Sequence, residues 1–156
     1  MMRFGKILII TTLFIMTACT DKSPAGQIKA MQKRVDAVEH KAEMLYNQDF
    51  EYLVKECQEI ESLTQNKEHG KDFDLVMAYL QQYEDIKPVV MDNAAYSRKQ
   101  LDDLKSDIEN NLYDEATTAQ YLKDEDDAIR VMEAQLDYFQ EKFDEQKKVV
   151  KKLRKE

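Results

Sequence analysis

Apolar residues recur along most of this chain at alternating steps of three and four, the spacing that places side chains on one face of an α-helix. The stretch from residue 27 to residue 67 contains neither glycine nor proline. Its apolar series is Ile28, Met31, Val35, Val38, Ala42, Tyr46, Phe50, Leu53, Cys57 and Ile60. Three successive steps of four, from Val38 to Phe50, should unwind the helix locally without breaking it; a new helix starting at Asp49 is the alternative. The pattern predicts a first helix over about residues 25–68.

A second series predicts a helix over about residues 72–111. We expect Gly70 to end the first helix in the left-handed conformation and Asp72 to cap the second. The series is Phe73, Val76, Leu80, Tyr83, Lys87, Val90, Ala94, Ser97, Leu101, Leu104 and Ile108. Pro88 removes a backbone donor and disfavours helix at Lys87. The series nevertheless keeps its phase on both sides, so we expect one helix kinked at Pro88 rather than two.

A third helix is predicted over about residues 117–155, after a turn at 112–116. Thr117 and Gln120 match a capping box. The series then runs Leu122, Glu125, Ile129, Met132, Leu136, Phe139, Phe143, Gln146, Val150 and Leu153. Three helices of about 60 Å joined by short turns predict an all-α fold, an elongated antiparallel three-helix bundle of coiled-coil type. In outline it is similar to a spectrin-type bundle. Heptad series also form dimers and trimers, so the oligomeric state stays open, with a monomer as the working expectation.

The first 18 residues have the organisation of a secretory signal. Arg3 and Lys6 precede an apolar run at 7–16, which ends in two small residues before Cys19. A membrane-spanning helix needs about 20 apolar residues, and this run is too short. We therefore predict a cleaved leader over 1–18, a short tether over 19–24 and the helical bundle over 25–156.

Met16-Thr17-Ala18-Cys19 resembles the lipobox of bacterial lipoproteins, with Met16 where leucine is usual. The resemblance implies cleavage before Cys19, a diacylglycerol thioether on its sulfur and acylation, typically by palmitate, of the new amino terminus. It also implies the bacterial cell envelope. Because Thr20 rather than aspartate follows the cysteine, it implies the outer membrane, with the periplasmic or the surface face left open. A plain signal peptide, or an uncleaved tail, with a chance cysteine is the alternative.

The charge and the cysteines exclude several classes of protein. The 31 acidic residues outnumber the 23 basic ones and give a net charge of −8, so nucleic acid is not an expected partner. Cys57 is the only cysteine besides Cys19, so no disulfide can form within the mature chain. Its place in the first apolar series predicts a buried thiol.

No catalytic, metal or cofactor site is predicted. Neither His40 nor His69 stands in the Glu-x-x-His pattern of di-iron bundles. The acidic run 124–127 lacks the glycine of a calcium loop and falls on a helical series, which favours a solvated face. An enzyme or metal carrier would need polar groups inside the bundle. The series positions that could supply them are Lys87, Ser97, Glu125 and Gln146.

The basic tail and the tyrosines are the candidate partner contacts. The tail contains Lys147, Lys148, Lys151, Lys152, Arg154 and Lys155. These cations complement the dipole of the last helix, or form a basic patch for an acidic protein or an envelope glycan. The eight tyrosines lie at core edges or on a protein-binding surface. We expect a lipid-anchored structural or protein-binding envelope protein, held to the membrane by its lipid, and no enzyme. The alternative is a surface lipoprotein that binds a host or a neighbouring cell.

Overall fold

A computed structural model describes residues 22–64 and 70–155. Helix α1 spans Pro24–Met44, a π-helix spans Leu45–Phe50, and α2 spans Glu51–Thr64. Helix α3 spans Lys71–Glu109 and α4 spans Glu115–Leu153. The described residues contain no strand. The all-α prediction is confirmed, because three long helical segments, 24–64, 71–109 and 115–153, pack together.

The three predicted apolar series form the core. Nearly all of their members are buried, from Ile28 near the start of α1 to Val150 near the end of α4. Tyr46, Lys87, Ile108, Glu125 and Leu153 are only partly buried. Burying one face of each helix against the other two removes from water the apolar surface that no single helix could cover alone.

The π-helix lies where the first series takes three steps of four. Its wider turn places the next buried side chain five residues on, from Leu45 to Phe50, and the N–H of Glu51 donates to the carbonyl of Tyr46. Tyr46, predicted as a core residue, is therefore turned to the edge and stacks on Phe50 with ring centroids 5.0 Å apart. Helical backbone continues on both sides, at Met44 and Glu51. The prediction of local unwinding without a break is confirmed, and no helix starts at Asp49.

The predicted helix ends need correction at three places. Gly70 caps α3 with extended backbone at φ −73°, so it is not left-handed, and Asp72 lies inside the first turn. Asp114, not Thr117, caps α4, and its carboxylate accepts from the N–H of Thr117 at 2.7 Å. This hydrogen bond keeps the pKa of Asp114 below its usual value.

The left-handed residue of the described chain is Asn111, which follows α3 at φ 55°. The N–H of Asn111 donates to the carbonyl of Ile108, and the N–H of Leu112 donates to that of Asp107. This is a Schellman ending, in which asparagine takes the role that glycine usually has. The turn into α4 therefore covers 110–114, slightly earlier than predicted.

Helix α3 continues through Pro88, which is exposed. The prediction of one helix across this proline is confirmed, because α3 is a single helix from Lys71 to Glu109. Proline has no backbone N–H, so the carbonyl four residues earlier in the helix loses its usual donor. Because Pro88 is exposed, water can reach this carbonyl. A bend of the helix at Pro88 stays a prediction.

Cross-helix ion pairs connect the first helical segment to both of the others. Arg34 pairs with Asp126 and Glu133, Lys41 with Asp137, Asp49 with Lys147, and Glu56 with Arg154 on α4. Arg98 of α3 pairs with Asp36 and Glu39, and Lys87 with Glu43. Along the first segment the partner numbers rise on α4 and fall on α3.

Candidate functional site

The predicted lipidation site, Cys19, lies outside the described residues, as do the leader, the first half of the tether and His69. His40 is exposed on α1. Cys57 is buried at 3% exposure, as predicted. Burial raises the pKa of its thiol to about 11, with smaller contributions from Glu61 and Glu56. At neutral pH this thiol is therefore protonated and a poor nucleophile.

Two of the six tail cations, Lys147 and Arg154, form ion pairs that belong to the fold. Lys147 contacts Asp49 at 2.5 Å and Asp144 at 3.1 Å. Arg154 donates to both carboxylate oxygens of Glu56, at 2.9 and 3.0 Å. Glu56 is 7% exposed, so this ion pair holds the end of α4 against α2. The neighbouring carboxylate keeps the pKa of Arg154 above its ordinary value.

The other tail cations differ in their use. Lys152 lies 3.6 Å from Asp72 at the start of α3. Lys148, Lys151 and Lys155 are exposed, and no described acid pairs with them. The patch predicted from the sequence is thus smaller than six charges, because Lys147, Lys152 and Arg154 lie against acidic residues of the fold.

The polar positions of the core series do not meet in one place. Ser97 and Glu125 are hydrogen-bonded to each other between α3 and α4. Lys87 reaches Glu43 at 3.3 Å, and its Nζ lies 3.9 Å from the centre of the Tyr46 ring. Gln146 is buried farther along α4, about 30 Å from Glu125 at 1.5 Å per residue. These four residues therefore do not form one polar cluster.

Two of these polar side chains hold a buried oxygen without a partner. Oε2 of Glu125 and Oε1 of Gln146 accept no hydrogen bond. Desolvation raises the pKa of Glu125, and the hydrogen bond from Ser97 opposes that shift. Such groups destabilise a fold, because they lose water without gaining a protein partner.

The side chains of the acidic run 124–127 contact different partners and do not converge on one point. Asp126 pairs with Arg34 and Arg130, whereas Asp127 pairs with Lys123. Asp124 accepts from Gln120 at 2.7 Å. The three aspartates of the run have different partners, so their oxygens do not surround a common point where calcium could bind.

A cavity of about 610 Å³ lies between the start of α1 and the start of α4. Its walls include Met31, Leu122 and the paired side chains Arg34 and Asp126. The two carboxylates beside it keep the pKa of Arg34 raised. Because its central charges already neutralise each other, this cavity offers little to orient a ligand.

The strongest candidate is a surface where α3 and α4 lie side by side. We call it the neutral face, made of Tyr79, Gln82, Ile86, Val89, Asn93 and Tyr96 of α3 and Tyr121, Ala128, Val131, Gln135 and Tyr138 of α4. None of these residues is in the buried core. Val131 is 59% exposed, Val89 48% and Tyr96 62%. In a chain with 35% charged residues, this row of exposed uncharged side chains is unusual.

A groove of about 370 Å³ occupies one half of the neutral face. It is lined by Gln82, Ile86, Val131, Ala134, Gln135, Tyr138 and Phe139. Beside the groove the rings of Tyr79 and Tyr138 meet edge to face at 6.5 Å. Burial and a hydrogen bond to Tyr79 raise the pKa of Tyr138, so its hydroxyl is neutral at pH 7.

Tyrosines also close the other end of the face. Tyr121 packs edge to face on Tyr113 at 5.1 Å, and both are partly exposed. A pocket of about 210 Å³ beside them is lined by Gln100, Leu104, Tyr113, Tyr121 and four carboxylates. Aromatic rings at the edges with aliphatic side chains between them are typical of protein-binding surfaces.

The neutral face differs in ion pairing from the surfaces where the first helical segment meets α3 and α4. The first helical segment is joined to α3 and to α4 by the pairs described above. Between residues 75–100 of α3 and residues 117–142 of α4, no ion pair forms. Lys152 of α4 lies 3.6 Å from Asp72 of α3, beyond the end of the face.

The sequence analysis singled out the tyrosines but missed the face. In the sequence the face corresponds to a second series on α3, in which each member stands one residue before a core position. The series is Tyr79, Gln82, Ile86, Val89, Asn93, Tyr96 and Gln100. Glutamine and asparagine occupy three of these seven places, so a search for apolar residues passes over the series. A search for uncharged residues finds it, because seven positions in succession lack a charge.

The described residues contain no helix that is long and apolar enough to cross a bilayer. Within the same ranges, no group of three or more His, Cys, Asp or Glu side chains is placed to hold a metal. Comparison with known proteins finds no family model, no curated protein and no solved structure that matches this chain.

Proposed function

We propose that this chain is a lipid-anchored protein of the bacterial cell envelope that acts by binding a protein partner through the neutral face. The observation that carries the binding role is the exposure of Val89, Val131 and three tyrosines on a surface without ion pairs. Exposed apolar patches on an otherwise charged protein are typical of interaction sites. A catalytic role is not proposed.

The proposed shape is an elongated antiparallel bundle that runs up, down and up. The ion-pair series supports it, because partners of the first segment rise in number along α4, from Asp126 to Arg154, and fall along α3, from Arg98 to Lys87. Residues that approach in opposite numerical order lie on antiparallel helices. In this shape the tail lies about 60 Å from the start of α1.

The proposed anchor is lipid on Cys19. It rests on the order of the basic start, the short apolar run, the small residues and the cysteine. Two or more acyl chains hold a protein stably to a bilayer, at about 0.8 kcal/mol per buried methylene. The outer membrane is the proposed site because Thr20 follows the cysteine.

The anchor is tested by Cys19→Ala in cells supplied with labelled palmitate. Wild-type chain should carry label and partition into detergent, whereas the variant should be unlabelled and recovered in the soluble fraction. The matched control is Cys57→Ala, which removes the other cysteine, and should keep the label. Membrane retention of unlabelled Cys19→Ala protein would reject the lipid anchor.

Protease treatment of intact and permeabilised cells distinguishes the periplasmic role from its alternative. Digestion of the chain on intact cells would favour a surface lipoprotein that binds a host or neighbouring-cell partner. Protection until the outer membrane is opened would favour an envelope spacer or assembly partner. Both outcomes leave the neutral face as the proposed contact surface.

The binding surface is tested by a photo-crosslinking amino acid at position 131. A matched probe at position 40, exposed on α1, serves as the control. We expect a discrete crosslinked product from 131 and none from 40. Equal products from both positions, or none from 131 in a folded chain, would reject the neutral face as the site.

A further inference from the structure

The neutral face continues into an acidic pocket at one of its ends. This pocket, of about 210 Å³, lies between the end of α3 and the start of α4, and Tyr121 belongs both to it and to the face. Its acidic lining residues are Asp103, Asp107, Asp124 and Glu125, and none of its lining residues is basic. The face and the pocket therefore form one continuous surface that is uncharged over most of its length and acidic at one end.

The fold does not neutralise the four carboxylates of this pocket. Their hydrogen-bond partners are uncharged side chains, namely Gln120 for Asp124, Tyr113 for Asp107 and Ser97 for Glu125. Within the described chain, no lysine or arginine forms an ion pair with any of the four. By contrast, Asp126 and Asp127 of the same acidic run pair with Arg34 and Lys123. The pocket is therefore complementary in charge to a cation that the described chain does not supply.

Two tyrosine rings form the aromatic side of the pocket. Tyr113 and Tyr121 meet edge to face at 5.1 Å and are 37% and 44% exposed. Such rings attract a lysine or arginine side chain through cation–π contact. This chain contains the same combination elsewhere, since the Nζ of Lys87 lies 3.9 Å from the centre of the Tyr46 ring and 3.3 Å from Glu43. Carboxylates beside tyrosine rings therefore fit a basic side chain.

The opposite end of the neutral face needs no cation from a partner. There Lys142 pairs with Glu145 at 2.8 Å, and its Nζ lies 5.8 Å from the centre of the Tyr138 ring. The two ends thus differ in charge. A partner that lies along the face is expected to place its basic side chain at the Tyr121 end, which fixes its direction.

The shape of the face fits a helix. From Tyr79 to Tyr96 it extends over about 26 Å along the groove between α3 and α4. The described residues contain no strand, so an extended partner would find no sheet edge with which to pair its backbone. An amphipathic helix satisfies its own backbone and needs only a stripe of side chains to fill the groove. Ala128 and Ala134, both exposed, leave room for it to approach closely.

We infer that the neutral face takes an amphipathic helix of the partner protein, with an uncharged stripe in the groove and a lysine or arginine in the acidic pocket. The uncharged rows of α3 and α4 select the stripe, and the four carboxylates with the two tyrosines select the basic side chain. This inference rests on the proposed function, because it names the partner chemistry of the same face.

The distance between the pocket and the centre of the face predicts the spacing within the partner. Gln100 lines the pocket together with Tyr121, and Val131 stands ten residues after Tyr121 on α4. This separation is about 15 Å. Partner residues that face the two points are about ten apart in a helix and about five apart in an extended chain. The basic residue should therefore stand about ten residues from the one that meets Val131.

Photo-crosslinking from two positions of the full-length chain measures this spacing in cells. The crosslinking amino acid is placed at position 131 in one chain and at position 100 in another, and the captured partner residues are identified by mass spectrometry. We expect both positions to capture the same protein at residues about ten apart. A lysine or arginine should lie within one helical turn of the residue captured from position 100.

Neutralising the pocket tests the basic side chain. In the chain with the probe at 131, Asp103→Asn with Asp124→Asn should lower the crosslinked product roughly tenfold. The matched control is Glu51→Gln with Asp74→Asn, which removes two exposed carboxylates that form no ion pair in the described chain. Its product should stay close to that of the parent. In isolated membranes, added salt should lower the product of the parent much more than that of the pocket variant.

Each other result contradicts the inference. A spacing of about five residues, no basic residue near the site captured from 100, or equal product from the pocket variant and the parent would overturn the basic helix and leave the binding role intact. Capture of a second copy of this chain, or an equal loss in the control variant, would do the same. No product from position 131, in a chain that circular dichroism shows folded, would reject the neutral face itself and the inference with it.

Discussion

The hydroxyl of Tyr83 offers a stringent test of the core. Tyr83 lies on α3 at 0% exposure, and its hydroxyl donates to the carbonyl of Ala42 on α1 at 2.7 Å. Its ring packs edge to face on Phe139 and on Phe143, each at 5.1 Å. Burial strongly raises the pKa of this phenol, so the donor keeps its proton at all ordinary pH values. All three long helical segments therefore meet at one side chain.

Tyr83→Phe removes the hydroxyl and keeps the ring. The loss of a buried neutral hydrogen bond costs about 1–1.5 kcal/mol. The carbonyl of Ala42 is left without this donor in a place where Ala42 is 0% exposed. With a urea slope of about 2 kcal/mol per molar, the midpoint should fall by about 0.6 M. Tyr83→Ala removes the ring as well and should cost about 3–5 kcal/mol.

Urea denaturation followed by circular dichroism at 222 nm measures these differences. The matched control is Tyr96→Phe, because Tyr96 is 62% exposed; its midpoint should stay within about 0.5 kcal/mol of wild type. An unchanged midpoint and slope for Tyr83→Phe would show that the hydroxyl does not join α3 to α1. A loss well below 3 kcal/mol for Tyr83→Ala would in turn contradict the packing of its ring at the centre of the three segments.

Three smaller predictions concern the other buried polar groups. Gln146→Leu should raise stability by about 1–2 kcal/mol in urea, because it removes an amide oxygen that is buried without a partner; a lower midpoint would show that the amide is satisfied. The pKa of Glu125 is raised by desolvation, so its unfavourable contribution grows as pH rises above its unfolded value near 4.5. Glu125→Gln should therefore stabilise the fold at pH 7 but not at pH 3, and an equal effect at both would contradict this. The Cys57 pKa is raised to about 11, so its contribution is fully present below pH 9 and is lost as pH rises through 11. Between pH 8 and pH 10 the wild-type urea midpoint should fall more than that of Cys57→Ala, and parallel curves would refute it.

The core could be predicted from the sequence because helical spacing repeats the same physical condition many times. Each of the three series has about ten members, so an error at one member, such as Tyr46, does not change which side of the helix is predicted to be buried. The shift at Leu45–Phe50 was visible as three steps of four, but its form was not. Successive steps of four indicate that the helix must unwind. They do not indicate that a single wide π-turn will accommodate the whole shift of the buried face.

The helix ends were less predictable because several residues near each end can cap. Thr117 and Asp114 both have a side-chain oxygen, and three residues separate them. Asp114 accepts the N–H of Thr117, which leaves Thr117 inside the first turn. Similarly, Gly70 and Asn111 can both adopt the left-handed conformation, and only Asn111 does so in the described chain. The capping propensities of such candidates are similar, so the packing of the helices determines which residue ends a helix.

The partner surface was hidden for a different reason. The basic tail attracts attention as six cations in ten residues, yet the fold pairs Lys147, Lys152 and Arg154 with acids from distant parts of the chain. A sequence cannot show that its charges will be neutralised from 80 or 98 residues away. The neutral face shows the converse, since its members are unremarkable one by one. Only the packing of α3 beside α4 makes them a surface.

The proposed contact with a partner would account for the absence of ion pairs between residues 75–100 of α3 and 117–142 of α4. Each surface ion pair contributes only about 0–1 kcal/mol, so the bundle loses little stability without them here. Exposing Val89 and Val131 gives no benefit to an isolated chain. A designed ion pair tests this reasoning, because Gln82 and Gln135 both line the groove between α3 and α4. Gln82→Lys with Gln135→Glu should leave the urea midpoint of the fold within about 1 kcal/mol of wild type.

The same double variant should abolish the crosslinked product from position 131, since association would bury two charges that the free protein leaves in water. The matched control introduces one cation and one anion away from the face, as Gln48→Lys with Gln58→Glu, where both residues are exposed. That control should crosslink as well as the parent chain with the probe at 131. If the variant on the face also crosslinks unchanged, the uncharged surface is a property of the isolated bundle and not a contact. If both variants fail, the loss comes from charge in general and not from the neutral face.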